Sequence, residues 1–432
     1  MTSTADARPL DMIPIPSRPA PSISTRLRVV LFNTSFIGYL LFAHTFQLLF
    51  LPFLILSIVL SFSTSQPFTT IKRISREVFR TGIKWTKEIF TSILIFIVTV
   101  FGRTKIVVTM DSKEDLDRFV TKDENGKVVG FKIDRHSVWM SNHQCYVDWI
   151  MIWLVMAFGR VSEGIVIIIK ASLEWAPLVG PAMQLFRFVF LSRAKPLSQS
   201  TMYETARDAV ERDEPFQLVI YPEGTLYSRL TRPKSKAFAE AQGITDMEYT
   251  LLPRSTGLLY TLRLLSTLFP RDASSSRSPT LTLYDLTIGY SGVPPREYAQ
   301  SYISLQSWFG QGIPPRTVHI HVQKLSVDPE TIPIGQVRSS SRPKHIEQEI
   351  TLEERKVFEE WIFGRWREKD ERMGRFKEDG RGFEREENES GKVEFEARLR
   401  TGDWVRLVSV PVGLTVFYFL VVKSFWRVWG TS

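Results

Sequence analysis

From Val29 to Ile71 the chain carries 43 consecutive residues without an Asp, Glu, Lys or Arg, and this run limits the possible folds more than any other feature. Its densest part, Val29 to Phe62, would span about 51 Å as one helix at ~1.5 Å per residue, against a hydrocarbon core of about 30 Å. Pro52 and the polar Asn33, His44 and Gln47 inside it predict a broken pair of short helices, a re-entrant hairpin, or one pass continued along the interface. A cleaved leader fits poorly, because the run is too long and starts too late. Arg26 and Arg28 precede it, and Lys72, Arg73, Arg76, Arg80, Lys84 and Lys87 follow it. The positive-inside rule then puts both flanks in the cytosol and favours a hairpin over a single crossing. Ile89 to Gly102, also uncharged, suits the interface or a buried helix. Leu407 to Val422, between Arg406 and Lys423 and accompanied by Trp404, Trp426 and Trp429, reads as a short anchor near the C-terminus.

The rest of the chain differs in character. Residues 1–28, rich in Pro, Ser and Thr, read as a flexible tail. Residues 29–71 form the membrane hairpin or broken helix, and 72–103 basic amphipathic or interfacial helices. Residues 331–400 form a charged helical region and 401–432 the C-terminal anchor. Between 341 and 400 lie 15 basic and 17 acidic residues, which predicts a solvated amphipathic helix. The single cysteine excludes an internal disulfide and cysteine-clustered metal sites. The net charge of +9 leaves nucleic acid or an anionic membrane as partners. No basic cluster outside the membrane flanks carries interleaved aromatics, so nucleic acid is set aside and the basic flank is assigned to anionic lipids.

Residues 104–330 alternate short β-rich runs with stretches of helical length. The runs are Ser137–Ser141, Ile165–Ile169, Phe188–Leu191, Gln217–Tyr221, Leu281–Tyr290 and Val318–Val322; Trp149–Phe158 and Ser200–Arg212 are helical in pattern. This predicts an α/β domain, a largely parallel sheet flanked by helices, with membrane-associated helices at both termini. Polar groups follow four of the strands: Asn142 and His143, Lys170, Arg193, and Glu223-Gly224-Thr225. Open α/β sheets bind ligands beyond the carboxyl ends of their strands, so these clusters point to one site.

At its centre, His143 precedes Asp148 by five residues at a strand-to-helix turn. The carboxylate can fold back on one imidazole nitrogen and leave the other free as a general base. A core histidine capped by a nearby acid has the same spacing. Cys145 offers a competing nucleophile, poorly placed for activation by its near neighbour. His319 and His321 alternate on one strand and read as sheet-face histidines in preference to a metal pair. His44 reads as a hydrogen-bonded polar residue within the membrane segment.

These residues resemble the glycerophospholipid acyltransferases, the group that includes 1-acylglycerol-3-phosphate acyltransferase. Asn142-His143 with Asp148 and Trp149 resembles the first motif, Phe188 to Arg193 the second, Tyr221-Pro222-Glu223-Gly224-Thr225 the third, and Leu251-Leu252-Pro253-Arg254 the fourth. Each block is weak alone, but four in order are specific. Lys170 to Gly180, Tyr284 to Thr287, Val318 to His321, Glu360-Trp361 and Trp366 to Asp370 are similar to the lysocardiolipin and lysophosphatidylinositol acyltransferase branch. Tyr221 replaces the usual Phe of the third motif, and the Ser-rich stretch Ala273–Pro279 reads as a lineage-specific surface loop.

The resemblance implies acyl transfer from acyl-CoA to the free hydroxyl of a lysophospholipid, with acyl-CoA as co-substrate and neither cofactor nor metal. His143 is then the base and Asp148 its orienting acid. Asn142, Lys170, Arg193, Glu223, Gly224, Thr225 and Pro253 are the expected substrate-binding residues. Arg193 offers a fork for a phosphate and Lys170 a point charge, while Glu223 and Gly224 are expected beside the acceptor's glycerol or phosphate. The implied location is a membrane of the endoplasmic reticulum, ahead of the mitochondrial membrane, with the catalytic domain facing the cytosol. A hydrolase using the same His–Asp pair and a non-catalytic lipid-binding protein are the alternatives.

Overall fold

The computed structural model describes residues 8–62, 65–191, 199–269, 281–336, 350–380, 382–384 and 391–417. Arg193, the Ser-rich stretch 273–279, Trp426 and Trp429 lie outside them. In chain order the elements are α1 (Ile23–Val59), α2 (Gln66–Phe101), β1 (Lys105–Met110), α3 (Lys113–Phe119), β2 (Val120–Lys122), β3 (Val128–Phe131), β4 (His136–Ser141) and α4 (Asp148–Phe158). They continue as β5 (Ile165–Lys170), α5 (Val179–Leu185), β6 (Val189–Leu191), α6 (Gln199–Glu211), β7 (Phe216–Ile220), α7 (Arg232–Gln242) and α8 (Ser255–Ser266). The last are β8 (Thr282–Tyr290), β9 (Thr317–Ser326), α9 (Leu352–Glu378), β10 (Gly391–Phe395) and α10 (Thr401–Phe417).

Eight strands form one sheet in the order β10-β1-β9-β8-β4-β7-β5-β6. From β8 to β6 the five strands are parallel, whereas β9 runs antiparallel to β8 and β10 antiparallel to β1. The sheet is therefore mixed and mostly parallel, as the pattern of β-rich runs predicts. Strand alternation divides the core. Along β8, Tyr284, Leu286, Ile288 and Tyr290 join the face covered by α2 and α4, while Leu283 joins the face covered by α6, α8 and α9.

The broken pair of helices, one of the alternatives for the uncharged run, does not form. The run has no break at Pro52: α1 is a single 37-residue helix, and the apolar helix as a whole, Ile23–Phe62, is long enough to cross a membrane. A proline removes only one helical hydrogen bond, and α2 packs alongside this stretch; Gly82 lets the ring of Phe50 lie where a Cβ would come within 2.2 Å of it. The chain reverses after Phe62, and α1 runs antiparallel to α2, with Phe32 against Phe101 and Tyr39 against Phe96. The basic segment after the run is likewise one helix, and its second half is core: Ile89, Ile93, Leu94, Ile97 and Val98 are buried. Part of the N-terminal tail is pinned. Arg18 donates to the carbonyl of Tyr302 and the hydroxyl of Ser307, both at 2.7 Å, because its planar fork can satisfy two acceptors at once.

The charged region also differs from the solvated helix expected. Phe358, Ile362, Trp366, Lys369, Arg372, Met373, Phe376 and Lys377 of α9 are buried at helical spacings of three and four. Asp285 of β8 receives Nε and Nη2 of Arg365 at 2.9 and 2.8 Å and also pairs with Lys369. The sheet thus supplies the partner that lets these charges leave water. β10 then closes the far edge beside β1, a strand the charged composition conceals.

Candidate active site

β4 ends at Ser141 between β8 and β7, and the chain loops through Asn142–Val147 before α4 begins at Asp148. The loop folds around the Asp148 carboxylate. Oδ2 accepts from Nδ1 of His143 at 2.8 Å and from the backbone N–H groups of Gln144 and Cys145 at 2.7 and 3.0 Å. Oδ1 accepts from the Tyr290 hydroxyl at 2.5 Å and from the Cys145 thiol at 3.5 Å. A carboxylate with no solvent exposure would be costly without such partners, and here five donors surround it. The His143 side chain keeps 20% exposure, and its Nε2 has no protein partner among the described residues. An imidazole held at Nδ1 and open at Nε2 has the geometry of an oriented base.

The turn after β7 builds the other wall. Tyr221 stacks on the imidazole with ring centres 4.1 Å apart and planes 19° apart. Its hydroxyl is buried with no partner among the described residues, and burial pushes the phenol well above its ordinary range. The backbone N–H of Tyr227 donates to the His143 carbonyl at 2.8 Å, fixing the loop to this turn. Gly224 sits at φ +68, which glycine adopts without strain, and the Arg254 guanidinium lies over it, 3.3 Å from where a Cβ would stand.

The expected substrate-binding residues divide. Asn142 is buried, and its amide exchanges two hydrogen bonds with the backbone of Ile288, at 3.0 and 2.8 Å. It therefore extends the β4–β8 pairing and turns away from the open side of His143. Glu223 likewise faces inward. One oxygen accepts the His143 backbone N–H at 3.4 Å and the Trp366 indole N–H at 3.3 Å. Burial raises its carboxyl well above the usual range. The carboxyl thus lies beneath the His143 loop, with Trp366 of α9 behind it. Thr225 is half-buried at the turn. Pro253 is buried next to Arg254, whose N–H donates to the Pro222 carbonyl at 2.8 Å. Lys170 lies exposed at the end of β5, on the same sheet edge but two strands from β4.

Burial first, then the charge of Asp148, raise the Cys145 thiol well above its ordinary range. A buried thiol held as the neutral form is a poor nucleophile. His321 lies 3.0 Å from the Thr109 hydroxyl and 3.2 Å from Asp111, and His319 packs on Phe376 and Phe383. No group of three or more metal-ligating side chains comes together among the described residues. His44 bonds Gln47 at 3.1 Å and the carbonyl of Leu178, so the polar residues of the apolar helix dock the loop that follows β5.

Three residues emerge that the short motifs conceal. Tyr290 reaches Asp148 from a strand 142 positions away, Trp366 braces Glu223 from α9, and Asp370 accepts the N–H groups of Glu248, Tyr249 and Thr250 ahead of Pro253. The resemblance at Trp366–Asp370 was the available signal for the last two; periodicity could have placed Tyr290 only on a strand.

Residues 112–270 match the family model described as Acyltransferase. The 2-acyl-1-lysophosphatidylinositol acyltransferase of Saccharomyces cerevisiae is 29% identical, over 68% of this chain and 75% of its own length. Lysocardiolipin acyltransferase 1 of Gallus gallus is 30% identical over 59% and 57%. A probable 1-acyl-sn-glycerol-3-phosphate acyltransferase of Arabidopsis thaliana is 30% identical over 44% and 45%.

Proposed function

We propose that this chain, whose central domain belongs to the acyltransferase family, moves a fatty acyl group from acyl-CoA to the free hydroxyl of a lysophospholipid. The observation that carries the reading is the imidazole of His143, anchored at Nδ1 by a buried, fully hydrogen-bonded Asp148 and open at Nε2. Nε2 takes the proton of the acceptor hydroxyl as its oxygen attacks the thioester carbonyl. The tetrahedral intermediate then collapses, the C–S bond breaks, and the imidazolium returns its proton to the departing CoA sulfur. Asp148 stabilises the imidazolium, and no covalent enzyme intermediate is required.

Arg254 over the Gly224 turn, Lys170 at the end of β5 and Arg193 of the second motif are the cations assigned to acceptor or CoA phosphate. Glu223 and Asn142 act on the shape of the loop. The named relatives support acceptors of the lysophosphatidylinositol, lysocardiolipin or lysophosphatidate kind. The apolar helix Ile23–Phe62 and its basic flanks support a membrane location with anionic lipids; we assign the endoplasmic reticulum, with the catalytic domain on the cytosolic side.

The test is CoA release by the purified full chain with and without a panel of lysophospholipids. Release that requires an acceptor, and falls by about 10²–10⁴ in His143→Ala, is expected. Equal release without acceptor identifies a hydrolase, and full activity in His143→Ala removes the base.

A further inference from the structure

We propose that Tyr290 is a positioning residue for the His143–Asp148 pair, its hydroxyl setting how strongly the carboxylate holds the imidazolium; the proposal rests on the reading of His143 as the base. Tyr290 is the last residue of β8, and its hydroxyl lies 2.5 Å from Oδ1 of Asp148, while His143 takes Oδ2. Both residues are buried, Tyr290 with 2% and Asp148 with no exposure. The Tyr290 ring is held edge-on to Trp308, with centres 6.2 Å apart. No ladder hydrogen bond of the strand depends on the hydroxyl. Among the described residues the Cys145 thiol, at 3.5 Å, is the other side-chain donor to Oδ1, and sulfur donates weakly.

A phenol donating to one carboxylate oxygen draws charge away from the other. Without it, Asp148 holds the imidazolium more tightly, and the base stays protonated to a higher pH. The groups facing the pair are Cys145 from its own loop, Tyr221 and Glu223 from the turn after β7, and Tyr290 from β8, with Arg254 beyond Gly224. Burial drives Cys145, Tyr221, Glu223 and Tyr290 upward.

The experiment is kcat/KM against pH for Tyr290→Phe in the full chain, with acyl-CoA and a short-chain lysophospholipid that responds in the acceptor panel. The acid limb should move up by about half to one pH unit, with the alkaline plateau within about threefold of the unmodified protein. A stationary limb, with loss spread evenly over pH, overturns the proposal and leaves Tyr290 a packing residue. A fluorinated tyrosine at position 290 is a stronger donor and should move the limb down. If Tyr290→Phe does not fold, that chain decides, and a limb that stays in place there overturns the proposal equally. His143→Ala is assayed alongside: full activity sinks the base reading, an outcome distinct from an inactive His143→Ala with an unmoved Tyr290→Phe limb.

Discussion

Two long helices cover the sheet from opposite faces with a different balance of chemistry. α2 buries the apolar stripe Ile89, Ile93, Leu94, Ile97, Val98 and Phe101, whose contacts are non-directional, and a single cation, Lys87, which donates to the Ile165 carbonyl at 2.8 Å. α9 begins in the same way with Phe358, Ile362 and Trp366, then buries Lys369, Arg372 and Lys377. Lys369 reaches Asp285 and the Leu286 carbonyl, Arg365 shares Asp285, and Arg372 donates to Thr287 at 3.1 Å. The apolar face tolerates adjustment. The charged face is held by directional pairs, which place Trp366 beneath Glu223 and Asp370 beneath the loop before Pro253. The helix that looks most solvated in composition is the one that sets the register of the site.

The contrast can be broken most directly at Asp285. Asp285→Ala leaves Arg365 and Lys369 buried without their carboxylate, and unfolding in detergent should show a loss of about 3–5 kcal/mol. Replacing all three together by Leu, Met and Met should restore most of it, since well-packed apolar groups avoid the desolvation cost. A loss below about 1 kcal/mol for Asp285→Ala would mean that the two faces are held alike.

On the apolar face, Ile93→Ala at a position with no exposure should cost about 2–4 kcal/mol. The same melts measure it, and CoA release per folded molecule should stay near that of the unmodified chain, because the hydrogen bonds and ring contacts of His143 and Glu223 run to other elements.

The smallest effect depends on pH and sharpens the comparison at β9. Burial is the largest cause holding His321 at about 4, below its ordinary 6.5, with Arg372 acting in the same direction and Asp111 opposing. Between these values the unfolded chain binds a proton that the folded one excludes, so stability falls as pH drops from about 6.5 toward 4. Asp111, held low, contributes stability that is lost only below the ordinary carboxylate range, outside this window. His321→Gln should therefore leave the melting temperature at pH 8 nearly unchanged and flatten its decline between pH 7 and pH 5, by up to about 2 kcal/mol at pH 5. An unaltered decline would show that the histidine is not excluded from protonation.

The β4, β5 and β7 strands were legible because each is a short apolar run bounded by polar residues, and the His143–Asp148 pair because five residues separate its members. What Asn142 and Glu223 do was not legible. Their side chains turn inward to Ile288 and Trp366, and nothing in either motif records which way a side chain points. Pro52 predicts a break that the neighbouring helix makes unnecessary.

The sequence by itself determined the apolar character of the N-terminal run, the alternation of strands and helices, and the His143–Asp148 spacing, since these follow from local periodicity and short spacings. Only the tertiary structure decided which groups complete the site. Tyr290 and Trp366 come from elements 142 and 143 residues away from their partners. Their effect depends on burial and on hydrogen-bond directions that exist only once the sheet has formed and α9 has closed over it.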